Sequence, residues 1–133
     1  MSAYRWVAIE IVVTIHDRQI SRHGGATGIR DIGLLESALA RPQNQSAYGT
    51  PNLFQLAASY AFGIAKAHAF VDGNKRTAFV AALTFLRVHG YAFRPNPDDG
   101  VQMMEDLASD QISETAFAEW LENGAVALPD DTA

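Results

Sequence analysis

His68-Ala69-Phe70-Val71-Asp72-Gly73-Asn74-Lys75-Arg76-Thr77 leads directly into a nearly all-apolar run, Ala78 to Leu86. Polar groups packed this densely against core-like sequence are costly unless they have partners. The stretch reads as an anion-binding turn feeding a buried helix. That helix spans about Asn74 to His89. Phe79, Leu83 and Leu86 mark one face, while Val80, Ala81, Ala82 and Phe85 leave little polar surface elsewhere. A helix apolar nearly all round belongs in the middle of a core. Gly90 stops it.

Upstream, Leu53, Leu56, Ala57, Tyr60, Ala61 and Ile64 keep a helical period to about Ala67. Thr50 is the expected cap, with Pro51 at the first helical position. Ala57, Ala58, Ala61, Gly63 and Ala65 are small enough for close helix packing. Gln43 to Asn52 reads as a polar loop. A short helix, Ile32 to Ala40, precedes it, with Asp31 as N-cap and Pro42 disfavouring continuation. Glu36 reads as a solvated helix carboxylate. The first element, Trp6 to Arg22, carries Val7, Ile11, Ile15 and Ile20 at helical spacing, although its β-branched run also suits a strand. Gly24-Gly25 ends it.

Downstream, Tyr91-Ala92-Phe93 is a short extended piece. Asp98 or Asp99 starts a helix, and Ser113 caps a last one whose Phe117, Trp120 and Leu121 face inward. The sum is an all-α domain of about six helices around the motif helix. One domain covers 1–133, with its core at about 4–123 and a tail, 124–133, that frays.

The totals narrow the function. The chain has 133 residues, 48% hydrophobic and 19% charged, enough for one unstapled core. There is no cysteine, which excludes disulfides, thiolate metal sites and a thiol nucleophile. A formal net charge of −5 argues against a general nucleic-acid binder. No signal peptide or membrane span is visible, so a cytoplasmic location is expected.

The motif supplies the chemistry. Backbone N–H groups at the start of a helix lack intrahelical acceptors, and the helix dipole is positive there. Gly73 permits close approach, and Lys75 and Arg76 add formal charge, so a phosphate is the natural guest. Asp72, just ahead, makes sense as a ligand of Mg²⁺ that grips the phosphate oxygens, or as an N-cap. His68 can be neutral near pH 7 and take a proton from an attacking hydroxyl. His16, His23 and His89 read as structural. Phe70 reads as an apolar anchor for the loop. Together the parts suit transfer of a phosphate-containing group from a nucleotide to a hydroxyl. Neither a P-loop nor a kinase glycine-rich loop is present.

These residues resemble the Fic/Doc superfamily, whose consensus is His-x-Phe-x-[Asp/Glu]-Gly-Asn-Gly-Arg-x-x-Arg. His68, Phe70, Asp72, Gly73, Asn74 and Arg76 match. Lys75 replaces a glycine and Phe79 an arginine, as in the Doc (death-on-curing) branch. Ile15-His16-Asp17-Arg18, Gly33 to Leu39 with Arg41-Pro42-Gln43, and Phe85-Leu86 with Gly90-Tyr91 are similar too, so the likeness covers most of 4–123. The resemblance implies the all-helical Fic fold, ATP and Mg²⁺. By position His68 is then the general base, Asp72 the Mg²⁺ ligand, and Gly73, Asn74, Lys75 and Arg76 the phosphate pocket. It also implies a toxin of a type II toxin–antitoxin pair that phosphorylates a translation elongation factor and is blocked by a Phd-like antitoxin.

The departures favour phosphoryl over adenylyl transfer. Phe79 cannot hold outer phosphates as an arginine would, and Lys75 charges the pocket. An adenylyltransferase is the alternative, and a non-catalytic Fic-fold binding module the second. Glu122-Asn123 fits the end of the self-restraining helix of some Fic proteins, but Ala118 stands at its Ser/Thr position, so inhibition in trans is expected.

Overall fold

The computed structural model describes residues 4–129. Among them are six helices: α1 (Ile9–His23), α2 (Ile32–Tyr48), α3 (Leu53–Ala67), α4 (Asn74–Val88), α5 (Pro97–Ala108) and α6 (Glu114–Gly124). Two short strands, β1 (Tyr91–Ala92) and β2 (Val126–Ala127), complete the order. The all-α expectation holds. None of these helices is long and apolar enough to cross a membrane.

Helices α3 and α4 share the centre. Helix α3 packs on α2, α4 and α6, and α4 packs on α1, α3 and α5. All five small residues expected to permit close packing on α3 are buried. No residue from Arg76 to Leu86 on α4 is fully exposed, as its apolar pattern requires. Val7 donates its N–H to the Tyr60 hydroxyl at 2.9 Å, tying the chain start to α3. Burial pushes the Tyr60 phenol up, and the Val7 hydrogen bond works the other way.

Several boundaries differ from the sequence reading, each for a physical reason. The first element is a helix, as its spacing indicates, but it starts at Ile9 rather than at Trp6. Helix α2 does not stop before Pro42 but runs through it to Tyr48, absorbing most of the expected loop. Proline costs a helix one hydrogen bond and crowds the carbonyl four residues back. That carbonyl belongs to Ala38, and a β-carbon added at Gly63 would sit 3.3 Å from its oxygen. Gly63, without a side chain, lets α3 come that close, and the packing of α2 on α3 offsets the lost bond. The continued helix also carries Arg41, whose guanidinium meets Glu114 at 2.6 and 2.7 Å and the Ser59 hydroxyl at 2.9 Å. One side chain thus joins α2, α3 and α6. Asn52, not Thr50, caps α3, in a reciprocal capping box with Gln55. Asn96 caps α5, one residue before Pro97. Ser113 caps α6, as expected.

The tail was expected to fray from Gly124. Instead β2 pairs antiparallel with β1, Tyr91 opposite Ala127 and Ala92 opposite Val126. Leu128 N–H adds a 2.7 Å bond to the Gly90 carbonyl. The part of that expectation beyond Pro129 lies outside the described residues.

Candidate active site

Helix α3 ends at Ala67, and the chain turns at His68, which adopts the left-handed conformation (φ 50°, ψ 41°). Such a turn costs a non-glycine residue of order 1 kcal/mol. The neighbouring contacts hold it in place. Arg30 donates from both Nε (2.9 Å) and Nη2 (2.6 Å) to the His68 carbonyl. Arg30 and Asp31 N–H groups meet the Ala69 carbonyl, and Val71 N–H meets that of Gly28. A bridge between Ile29 and Phe70 aligns the two segments antiparallel. The His68 side chain itself makes no hydrogen bond among the described residues, and the residue is exposed.

Phe70 then turns inward and is buried. Its ring stacks on His16, centroids 3.9 Å apart and planes 8° from parallel. His16 Nε2 lies 2.8 Å from the Asp72 carbonyl oxygen. A carbonyl can only accept, so Nε2 carries the proton. Asn74 closes the loop from the other end. Its Oδ1 accepts from Phe70 N–H and its Nδ2 donates to the Phe70 carbonyl, both at 3.0 Å. The Asn74 side chain, expected in the phosphate pocket, is therefore committed to the loop, and what it can offer an anion is its backbone N–H.

Gly73 (φ 76°) is the N-cap of α4. A β-carbon there would be strained and would lie 3.1 Å from Ile20 Cδ1. Asp31, Asn52, Asn96 and Ser113 cap their helices with a side chain, whereas α4, like α1, has no side-chain cap. Its first N–H groups are thus left for another acceptor. Asp72 is not the N-cap. Its carboxylate instead accepts from Gly73 N–H at 2.8 Å and from Ala26 N–H at 3.3 Å. Those two bonds, the first the larger, hold its carboxyl below the usual aspartate range, with help from Arg76. The sign follows: a depressed carboxyl adds stability above the ordinary aspartate pKa, lost as pH falls through the lowered value. A carbon-detected NMR titration should place the Asp72 midpoint below that of a reference aspartyl peptide. A midpoint at or above it contradicts the assigned hydrogen bonds.

Lys75 Nζ lies 2.8 Å from Glu105 Oε1 on α5. Arg76 Nη2 meets the Gly24 carbonyl at 3.2 Å. A cleft of about 670 Å³ brings these residues together with His68, Asp72 and Gly73. Its other side is apolar, including Phe79, Val101 and Met104. That volume suits a nucleotide-sized ligand. The structure thus gathers His68, Asp72, Gly73, Asn74, Lys75 and Arg76 at one cleft, and sets Phe70 beneath the loop.

Sequence reasoning missed three contributors. His16 is structural, as read, but the structure it holds is the site loop. Arg30 sits in a turn with no motif of its own. Glu105 is one of several acidic residues on α5, and nothing in the linear sequence marks it as facing Lys75.

The model of the Fic/DOC family matches residues 6–86. A protein of Escherichia phage P1 named "Protein kinase doc" is 36% identical over 118 residues, 88% of this chain and 93% of that protein. "Toxin Doc" of Mycolicibacterium smegmatis is 44% identical over 90 residues, 65% of this chain and 67% of that protein.

Proposed function

This chain belongs to the Fic/DOC family, and from that premise we propose that it is a Doc-type toxin that moves the γ-phosphate of ATP to a hydroxyl of a target protein. The observation that carries the reading is the uncapped start of α4, with Lys75 and Arg76, opening on the same cleft as His68 and Asp72. Unpaired N–H groups and two cations bind phosphates. The N–H groups of Gly73 and Asn74 belong to the same turn, although Gly73 N–H already meets Asp72.

His68 is the general base in this reading. It takes the proton from the target hydroxyl as that oxygen bonds to the γ-phosphorus. The bond from phosphorus to the β–γ bridging oxygen breaks, and ADP leaves. Asp72 suits Mg²⁺: a hard, exposed carboxylate held anionic by backbone N–H groups beside a phosphate site. Bound there, Mg²⁺ would neutralise phosphate charge.

Phe79 supports phosphoryl rather than adenylyl transfer. It packs toward Phe93 and Trp120, with centroids 6.5 and 6.1 Å away, and offers the cleft no charge. The outer phosphates then depend on the Lys75–Arg76 end. A translation elongation factor is the proposed target, the cytoplasm the proposed place of action, and a Phd-like antitoxin the proposed partner.

Induced expression in a bacterial host tests the enzyme reading. The wild-type chain should arrest growth, and a His68→Ala, Asp72→Ala double variant at equal level should not. Arrest that persists in the double variant would favour a non-catalytic binding module.

A further inference from the structure

Lys75 is a cation of the proposed phosphate pocket, yet it already has an anionic partner. Glu105 Oε1 lies 2.8 Å from its Nζ, and both side chains are about half exposed, 45% and 53%. Glu105 also lines the cleft. Its place relative to Lys75 is set by packing. Its neighbour Met104 and the nearby Leu107 are buried in the core. A β-carbon at Gly100 would sit 3.3 Å from the Phe79 ring, so α5 lies close against α4. The backbone that carries the carboxylate is therefore fixed beside the cleft. A phosphate chain seated on the start of α4 would meet the carboxylate as a like charge beside the cation both need.

We propose that Glu105 is an intramolecular competitor for the phosphate site: it pairs with Lys75 and yields it when a polyphosphate binds. The inference rests on the phosphate-binding reading above, but not on the transfer reaction. Exposed ion pairs are weak and exchange readily with water and ions. The latch therefore tunes affinity rather than closing the site. It weakens ligands that draw on Lys75, polyphosphates most of all, and leaves an uncharged nucleoside untouched. Glu105 thus sets how tightly the phosphate chain is held.

Calorimetric binding of inorganic tripolyphosphate to the full chain tests this, with Glu105→Gln, Lys75→Met and the double variant alongside wild type. Glu105→Gln should bind about threefold to fivefold tighter than wild type, the scale of one exposed ion pair. Glu105→Ala should do the same and guards against a folding artefact of one variant. In the Lys75→Met background the same change should have little effect, because the two residues act as a pair. Tightening below about twofold, or equal tightening with and without Lys75, overturns the latch. So does absence of binding in every variant, Glu105→Gln included. If the latch behaves as expected but no group is ever transferred from ATP, the function fails and the latch stands.

Discussion

His68→Ala is expected to lower transfer from ATP by about a hundredfold to ten-thousandfold, the usual worth of a positioned general base. Its thermal unfolding should stay close to wild type. The side chain is exposed and makes no hydrogen bond among the described residues, so its loss leaves no cavity and no orphaned polar group. What holds the turn is backbone: the His68 carbonyl accepts both donors of Arg30. His68→Gly sharpens the point. Glycine adopts φ 50° without the β-carbon penalty, so it should match or exceed wild-type stability while remaining as inactive as alanine. Activity retained in both variants removes His68 as the base. A large stability loss in both would mean the ring supports the fold instead.

Phe70→Ala is expected to cost about 3–5 kcal/mol, the range for truncating a fully buried aromatic side chain. For a domain of this length the melting temperature should fall by roughly 10–20 °C. The ring lies beneath the motif loop, stacked on His16, whose Nε2 holds the Asp72 carbonyl. Truncation therefore opens a cavity and frees His16 from one wall at the same time. Asn74 would still clamp the Phe70 backbone, because those bonds do not involve the ring. Activity should fall further than stability alone explains, since the loop that sets His68 and Asp72 loses its floor. Differential scanning calorimetry beside a transfer assay checks both parts. A melting temperature within a few degrees of wild type would contradict the anchoring role.

Periodicity made most of the fold legible. Apolar spacing marked the two central helices, and Ser113 and Gly90 acted through local backbone chemistry that sequence carries directly. Pro42 shows where that reading stops. Its local preference argues for a break, and the packing of the continued helix on α3, with the Arg41 contacts to α3 and α6, outweighs it. Strand β2 likewise exists because β1 lies alongside it, and Val126-Ala127 alone carries no such signal. At the site, residue types located the cleft but not the division of labour. An asparagine amide can serve a ligand or a loop equally well, and the loop takes the Asn74 side chain. Lys75 was visible as a cation, but its partner comes from α5, thirty positions away in sequence.

The central claim is that the cleft presents the γ-phosphate of ATP to a protein hydroxyl. Incubating the chain with a bacterial extract and ATP labelled at either the α- or the γ-phosphate tests it most directly. Label from the γ-position should appear on a protein of the extract, and label from the α-position should not. Protein labelled from the α-position would contradict phosphoryl transfer and assign the same cleft to adenylyl transfer.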